Sequence, residues 1–158
     1  MDQRLLLRLE LDALYADYAA ALDQRDYAAW PRFFTEDCLY QVIPRENHEQ
    51  GLPLATILCE SRGMLEDRVY AVRETSMYGP RALRHLVSGL RIVGVEEEEI
   101  AAEANFCVLQ TLNDRTTEVF LAGRYLDRLV WEEGTLRFKQ RICVFDTNLV
   151  PNTLVVPV

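Results

Sequence analysis

At 158 residues the chain falls in the usual range of a compact domain, long enough to bury a core without disulfides or metal ions. Its 25 acidic and 17 basic residues give a formal net charge of -8, which repels phosphate backbones and anionic membranes and excludes nucleic acid as an expected partner. The sequence has no apolar leader and no run of about 18 apolar residues, so we expect a cytoplasmic protein without membrane contact.

The cysteines indicate reduced core residues. Four occur far apart, at Cys38, Cys59, Cys107 and Cys143. None belongs to a Cys-x-x-Cys pair, and a zinc site needs closely spaced Cys or His ligands, so we expect no metal site.

The first half of the chain is predicted to be mainly helical. Apolar side chains recur with the spacing of one helical face at Leu11, Leu14, Tyr15, Tyr18 and Leu22. This spacing predicts a helix over about residues 3–23, and a short second helix at Tyr27–Trp30 follows it after a tight turn.

A strand and a third helix follow. The strand is expected at Cys38–Ile43 and stops at Pro44, which cannot donate to a sheet ladder. A polar loop, Arg45–Gly51, leads on to a helix at about Ser61–Thr75, and Gly79-Pro80 marks a break.

From Arg84 onward the hydrophobic period changes from 3.6 to 2, which predicts four long strands. They are expected at Arg84–Val95, Ile100–Leu112, Thr117–Trp131 and Thr135–Thr147. Short charged or polar tips join them at Glu96–Glu99, Asn113-Asp114 and Glu132–Gly134.

The predicted fold is therefore α+β, with N-terminal helices (about 3–75) packed on a strongly curved, mainly antiparallel sheet (a meander over about 84–147). An extended tail is expected at residues 149–158. We expect the whole chain, residues 1–158, to form one domain.

The side-chain alternation predicts which faces of the sheet are buried. In the last run Leu136, Phe138, Ile142 and Val144 form the expected core face. Arg137, Lys139, Arg141 and Cys143 form the expected solvated face.

The two middle runs are apolar on both faces, at Phe106–Leu109 and Val119–Ala122. This pattern leaves two alternatives. Either another protein chain covers the second face, or the sheet curls enough to bury its own middle. The apolar tail adds weight to a partner chain, although it can also cover an edge of its own sheet.

Only two histidines occur, His48 in the polar loop and His85 at the start of the first long strand. A Cys2His2 iron–sulfur cluster needs two histidines, and a mononuclear iron site of the usual kind needs two more. The chain has half of the four histidines that both sites require. Gly-rich nucleotide loops and a Gly-x-Ser-x-Gly elbow are also missing from the sequence. We therefore expect no cofactor-binding, metal-binding or catalytic residues in this chain.

An enzyme remains the alternative hypothesis, because a helix-covered curved sheet encloses a cavity that can carry out acid–base chemistry. The candidates are His85, Tyr125 and Asp127, with Asp37 at the first strand. Tyr125 and Asp127 are expected to share a strand face with Val119, Leu121 and Leu129. The structural explanation is that His85 is simply hydrogen-bonded and that Asp127 pairs with Arg124, Arg128 or Arg141.

Several sequence blocks resemble the β subunit of bacterial ring-hydroxylating dioxygenases, a branch of the nuclear transport factor 2-like, or cystatin-like, cone fold. They are Asp26–Trp30 with Phe33-Phe34 and Asp37, Glu60–Val69, and Arg84–Ser88. Gly123–Asp127, with Gly134 and Arg141, resembles the wider superfamily, which includes scytalone dehydratase-like and ketosteroid isomerase-like enzymes. Ile43–His48, Gly51–Pro53 and Thr153–Pro157 resemble small subunits that act with carboxylated aromatics such as salicylate or terephthalate.

The resemblance implies a non-catalytic small subunit in an aromatic-ring oxygenase. The partner α subunit would carry the Rieske [2Fe-2S] cluster and the mononuclear Fe(II), with electrons from NAD(P)H arriving through a reductase. An α3β3 hexamer is the implied assembly. The alternatives are a free-standing isomerase, dehydratase or hydrolase that uses His85, Tyr125 or Asp127, and a small homodimeric ligand-binding module.

Overall fold

The computed structural model describes residues 2–75, 81–113, 115–149 and 156–158. Its helices are α1 (Gln3–Asp23), α2 (Arg45–Glu49) and α3 (Arg62–Thr75), together with a 3-10 helix at Trp30–Phe33. Its strands are β1 (Phe34–Pro44), β2 (Ile57–Cys59), β3 (Arg81–Glu96), β4 (Glu99–Leu112), β5 (Thr117–Glu132) and β6 (Thr135–Phe145).

Helix α1 has the predicted bounds and the predicted buried face. The Asp2 side chain accepts a hydrogen bond from the Arg4 amide at 3.1 Å and so caps the first turn. Four side chains with helical spacing are buried, Leu11, Tyr15, Tyr18 and Leu22. They pack the helix onto one face of the sheet, where α1 lies against β3.

The six strands form one open mixed sheet in the order β2-β1-β6-β5-β4-β3. Neighbours along β3 to β6 are antiparallel, as the predicted meander requires. Strand β1 pairs in parallel with β6, which places the last strand of the meander inside the sheet. The predicted α+β class, with helices on a mainly antiparallel sheet, is confirmed.

The first half contains the errors in element placement. The predicted helix at Tyr27–Trp30 is wrong: the 3-10 helix begins at Trp30, where Pro31 at its first turn fixes the backbone dihedral. The predicted loop at 45–51 contains α2, and the three-residue strand β2 was not predicted because it is too short to show a period. The expected break at 79–80 lies outside the described residues.

Two β-bulges change the predicted faces of the sheet. The β5–β6 register pairs Leu129 with Phe138 and Arg128 with Gln140, so Lys139 is the extra residue. Beyond it the alternation is reversed, and Arg141, predicted to be solvated, is fully buried. Cys143 moves inward with it.

The second bulge lies in β5. Leu121 pairs with Val108 and Val119 with Leu109, which leaves Phe120 as the extra residue. Val119 therefore lies on the opposite face from Leu121 and is 63% exposed, which corrects the prediction that it shares a face with Tyr125 and Asp127.

The cysteines are free thiols, as predicted, and three of them are buried. Burial raises the pKa of Cys38 to about 11 and that of Cys143 to about 12. Among the residues described, no helix combines the length and the apolar character that a membrane span requires.

Gly123 is the position where the sheet leaves least room for a side chain. A Cβ atom there would lie 2.0 Å from the Val144 carbonyl oxygen on β6. We expect Gly123→Ala to lower the free energy of unfolding by about 1–3 kcal/mol, the usual cost of overpacking. Urea unfolding measures the change.

The matched control is Gly94→Ala in β3, where an added Cβ meets no atom within 4 Å. Its effect is expected to stay within about 0.5 kcal/mol. Equal effects of the two substitutions would contradict the close approach at Gly123.

Candidate functional site in the cone interior and on the open sheet face

An ion pair lies at the centre of the buried side of the sheet. The Arg141 Nε donates to Asp127 Oδ1 at 3.0 Å, and its Nη2 donates to Asp127 Oδ2 at 2.8 Å. Both side chains have no exposed surface. Of the three arginines proposed as partners of Asp127, the structure therefore selects Arg141.

Aromatic rings surround this ion pair. The Arg141 guanidinium carbon lies 3.9 Å from the ring centroids of Tyr125 and Phe138, and 4.3 Å from that of Tyr18. The Tyr15 hydroxyl donates to Asp127 Oδ2, so both carboxylate oxygens are engaged. The rings supply cation–π attraction where water is excluded.

The ionisation states in this centre are fixed by burial and by the ion pair. Burial lowers the pKa of a guanidinium, but the Asp127 charge and its hydrogen bonds hold the pKa of Arg141 well above its ordinary value. Burial, and then the Asp127 charge, raise the pKa of Tyr15. Burial also raises the pKa of Tyr18 and Tyr125. These phenols therefore stay neutral at any physiological pH.

Residues 156–158 pack into the same interior. The Tyr18 hydroxyl donates to the Val158 main-chain oxygen at 2.9 Å, and the Val158 amide donates to the Tyr40 hydroxyl at 2.9 Å. The Trp30 indole in turn donates to the Tyr18 hydroxyl at 3.0 Å. This described part of the predicted tail therefore fills the interior of its own chain, where an enzyme of this shape would need room for a substrate.

His85 lies near this centre but has a different partner. Its Nδ1 is 2.7 Å from Asp23 Oδ1, and the same oxygen accepts the His85 backbone amide at 2.8 Å. The prediction that His85 is hydrogen-bonded is confirmed, but the residue is not at the start of its strand, because β3 begins at Arg81. Sequence reasoning missed Asp23, although an acid in the last turn of a helix is disfavoured by the helix dipole and so signals a compensating partner.

The remaining candidate residues do not join a common site. Asp37 is exposed on β1, and His48 is half-buried in α2. Tyr125 and Asp127 do lie together, but Asp127 is locked by Arg141 and Tyr15. The free-standing enzyme hypothesis is not favoured by this arrangement, because an acid–base residue needs reach to a substrate.

Metal-binding chemistry has little support in the side chains present. Within residues 2–75, 81–113, 115–149 and 156–158, no three His, Cys, Asp or Glu side chains form a group that could hold a metal ion.

The second face of the sheet carries apolar side chains that remain partly exposed to solvent. The open sheet face is the surface formed by Leu86, Cys107, Leu109 and Val119, which are neighbours across β3, β4 and β5. Leu86 is 49% exposed and Val119 63% exposed. The sheet therefore does not curl enough to bury this face.

Comparison with known proteins places the chain in a family. A model of the ring-hydroxylating β subunit matches residues 18–152. The small subunit of anthranilate 1,2-dioxygenase from Burkholderia cepacia is 37% identical over 149 residues, which cover 94% of this chain and 92% of that protein. A β subunit of the terephthalate 1,2-dioxygenase terminal oxygenase component from a Comamonas species is 34% identical, with coverage of 94% and 97%.

Solved structures agree. A Novosphingobium aromaticivorans protein assigned as the β subunit of an aromatic-ring-hydroxylating dioxygenase superposes with a TM-score of 0.91 at 40% identity, covering 99% of this chain and 100% of that one. A protein of the same organism assigned as a scytalone dehydratase has a TM-score of 0.72 at 19% identity, with coverage of 91% and 87%, and shares the cone fold alone. The chain belongs to the ring-hydroxylating β-subunit family, the small subunits of aromatic-ring-hydroxylating dioxygenases.

Proposed function

We propose that this chain is a non-catalytic scaffold that holds iron-bearing α subunits in a defined assembly. The chain belongs to the ring-hydroxylating β-subunit family, and it has only two histidines. Two histidines are too few for a Rieske cluster and a mononuclear iron site, and His85 is already engaged by Asp23. Its residues therefore do not fit the two iron centres, which we assign to the α subunit.

The open sheet face is the surface we assign to a partner chain. An apolar surface of this kind, with Leu86 and Val119 about half exposed or more, is stabilised when another chain removes it from water. We place the α subunit there. An α3β3 hexamer is the proposed stoichiometry, because closed cyclic symmetry gives every subunit the same contacts.

The substrate class follows from the relatives. Anthranilate and terephthalate, named in the matched dioxygenases, are both carboxylated aromatic rings. We therefore propose that the complete enzyme hydroxylates a carboxylated aromatic compound in the cytoplasm. Electrons from NAD(P)H would reach the α subunit through a reductase.

The assembly role predicts that the isolated chain and its complex with the large subunit differ in iron content and in turnover. Purified alone, the chain is expected to contain no iron and to turn over no aromatic acid. Co-expressed with its large subunit, it is expected to elute as one complex that contains both chains and iron. Size-exclusion chromatography with iron analysis measures this, and turnover by the isolated chain would overturn the proposal.

Leu86→Asp tests the assigned surface. We expect this substitution to leave the isolated chain folded, because Leu86 is 49% exposed, and to reduce co-purification of the α subunit by burying a charge without a partner. The control is Leu54→Asp, at a position 74% exposed outside this surface. Equal recovery of complex with both variants would place the α subunit elsewhere.

Asp127→Asn tests whether the central ion pair is structural. Removing one partner leaves the buried Arg141 charge uncompensated, so we expect a loss of about 3–5 kcal/mol in the free energy of unfolding. Asp12→Asn makes the same chemical change in the half-exposed Arg8–Asp12 pair and is expected to cost less than about 1 kcal/mol. Turnover per assembled complex should stay at the wild-type value in both, and a selective loss with Asp127→Asn would give Asp127 a catalytic role instead.

A further inference from the structure

A groove of about 400 Å³, the α1 groove, lies between the first turns of α1 and the tip of the β3–β4 hairpin. Leu6 and Leu7 of α1 line one side, and Val95 and Ile100 of the hairpin line the other. Trp131, near the end of β5, adds an aromatic ring. The side chains of Leu6, Val95 and Trp131 are 41%, 56% and 47% exposed, so a binding partner can reach them from solvent.

The apolar surface continues from the α1 groove along the outer side of the helix. Leu5 and Leu9 are 50% and 52% exposed. They lie one helical turn apart, and Leu9 also lies one turn from Leu6, so the three side chains are neighbours on the helix surface. The exposed apolar patch is therefore larger than the groove itself, and patches of this kind mark interaction sites.

Every charged side chain that lines the α1 groove is acidic. They are Glu10 on α1 and Glu97 and Glu98 at the hairpin tip. All three are exposed, and none belongs to an ion pair within the part of the chain that the structure describes. A cationic group in the groove would therefore meet three uncompensated carboxylates. Trp131 adds the type of ring that attracts cations most strongly.

These charges decide among the candidate occupants. A second copy of this chain, packed groove to groove, would bring three further carboxylates against the first three. An anionic membrane would bring phosphates, which the same carboxylates repel. A polypeptide segment with both apolar and basic side chains complements the leucines and the acids together.

We propose that the α1 groove binds an amphipathic helical segment of another polypeptide, in which Lys or Arg flanks an apolar stripe. A helix places such a stripe on one face, which packs into the groove while the basic side chains pair with the glutamates. Leu86 of the open sheet face and Val95 of the groove lie nine positions apart on β3, about 30 Å along a strand. The site therefore does not depend on where the α subunit binds.

Synthetic helical peptides of about 14 residues, without Trp, are the probes for the full-length chain. The first has a leucine stripe flanked by Lys, the second has Glu in place of Lys, and the third has the composition of the first without the stripe. Trp30 is fully buried, so a change in tryptophan fluorescence reports Trp131. We expect a saturable blue shift with the first peptide alone, and added NaCl should weaken it.

The double variant Glu97→Gln/Glu98→Gln tests the acidic side chains. We expect its affinity for the first peptide to fall about fivefold, because each exposed ion pair contributes little by itself. Glu66→Gln/Glu74→Gln removes two exposed carboxylates from α3 and is the matched control. Its affinity should stay within about twofold of the wild-type value.

Leu6→Ser tests the apolar side of the groove. We expect it to weaken binding of the first peptide by about tenfold, because the leucine side chain loses apolar surface that the peptide would bury. Leu58→Ser on β2 is the matched control, since Leu58 is 43% exposed and does not line the groove. Its affinity should also stay within about twofold of wild type.

Several results would overturn the proposal. They are no saturable shift with the first peptide, equal binding of the second or third peptide, and equal losses in the groove variants and their controls. Sedimentation velocity of the chain alone tests the second copy: a dimer that dissociates in Leu6→Ser would assign the groove to self-association instead. Iron content and co-purification with the α subunit are measured separately, so the assembly role and this site can fail independently.

Discussion

The buried ion pair between Asp127 and Arg141 is the constraint around which the interior is organised. A buried carboxylate is stabilised by the hydrogen bonds that it accepts, and here Asp127 accepts two from Arg141 and one from Tyr15. The rings of Tyr18 and Tyr125 then have to lie against the guanidinium. Helix α1 and strands β5 and β6 are thereby fixed to one another by polar contacts rather than by apolar packing alone.

Hydrophobic periodicity was sufficient to predict α1, α3, the four long strands and the α+β class, because those elements are long and strongly patterned. It failed where one extra residue reverses the alternation. The bulge at Lys139 turns Arg141 inward, and the bulge at Phe120 turns Val119 outward. A bulge depends on how two strands pair, and the hydrophobic period of a single strand carries no information about that pairing.

The candidate site was predicted less completely than the fold. His85, Tyr125 and Asp127 were singled out by residue type as the alternative candidates, and their hydrogen-bond partners come from distant parts of the chain. Asp23 is 62 positions from His85, and Tyr15 is 112 from Asp127. Spacing along the sequence carries no information about such contacts, and the unfavourable position of Asp23 at a helix end was the available signal.

The parallel pairing of β1 with β6 has a consequence for synthesis on the ribosome. β1 ends at Pro44 and β6 begins at Thr135, so about 90 residues separate the two strands. At roughly 5–20 residues per second, β1 waits on the order of 5–20 s for its neighbour. Its β6-facing backbone groups remain unpaired during that interval and are open to wrong pairing with other strands.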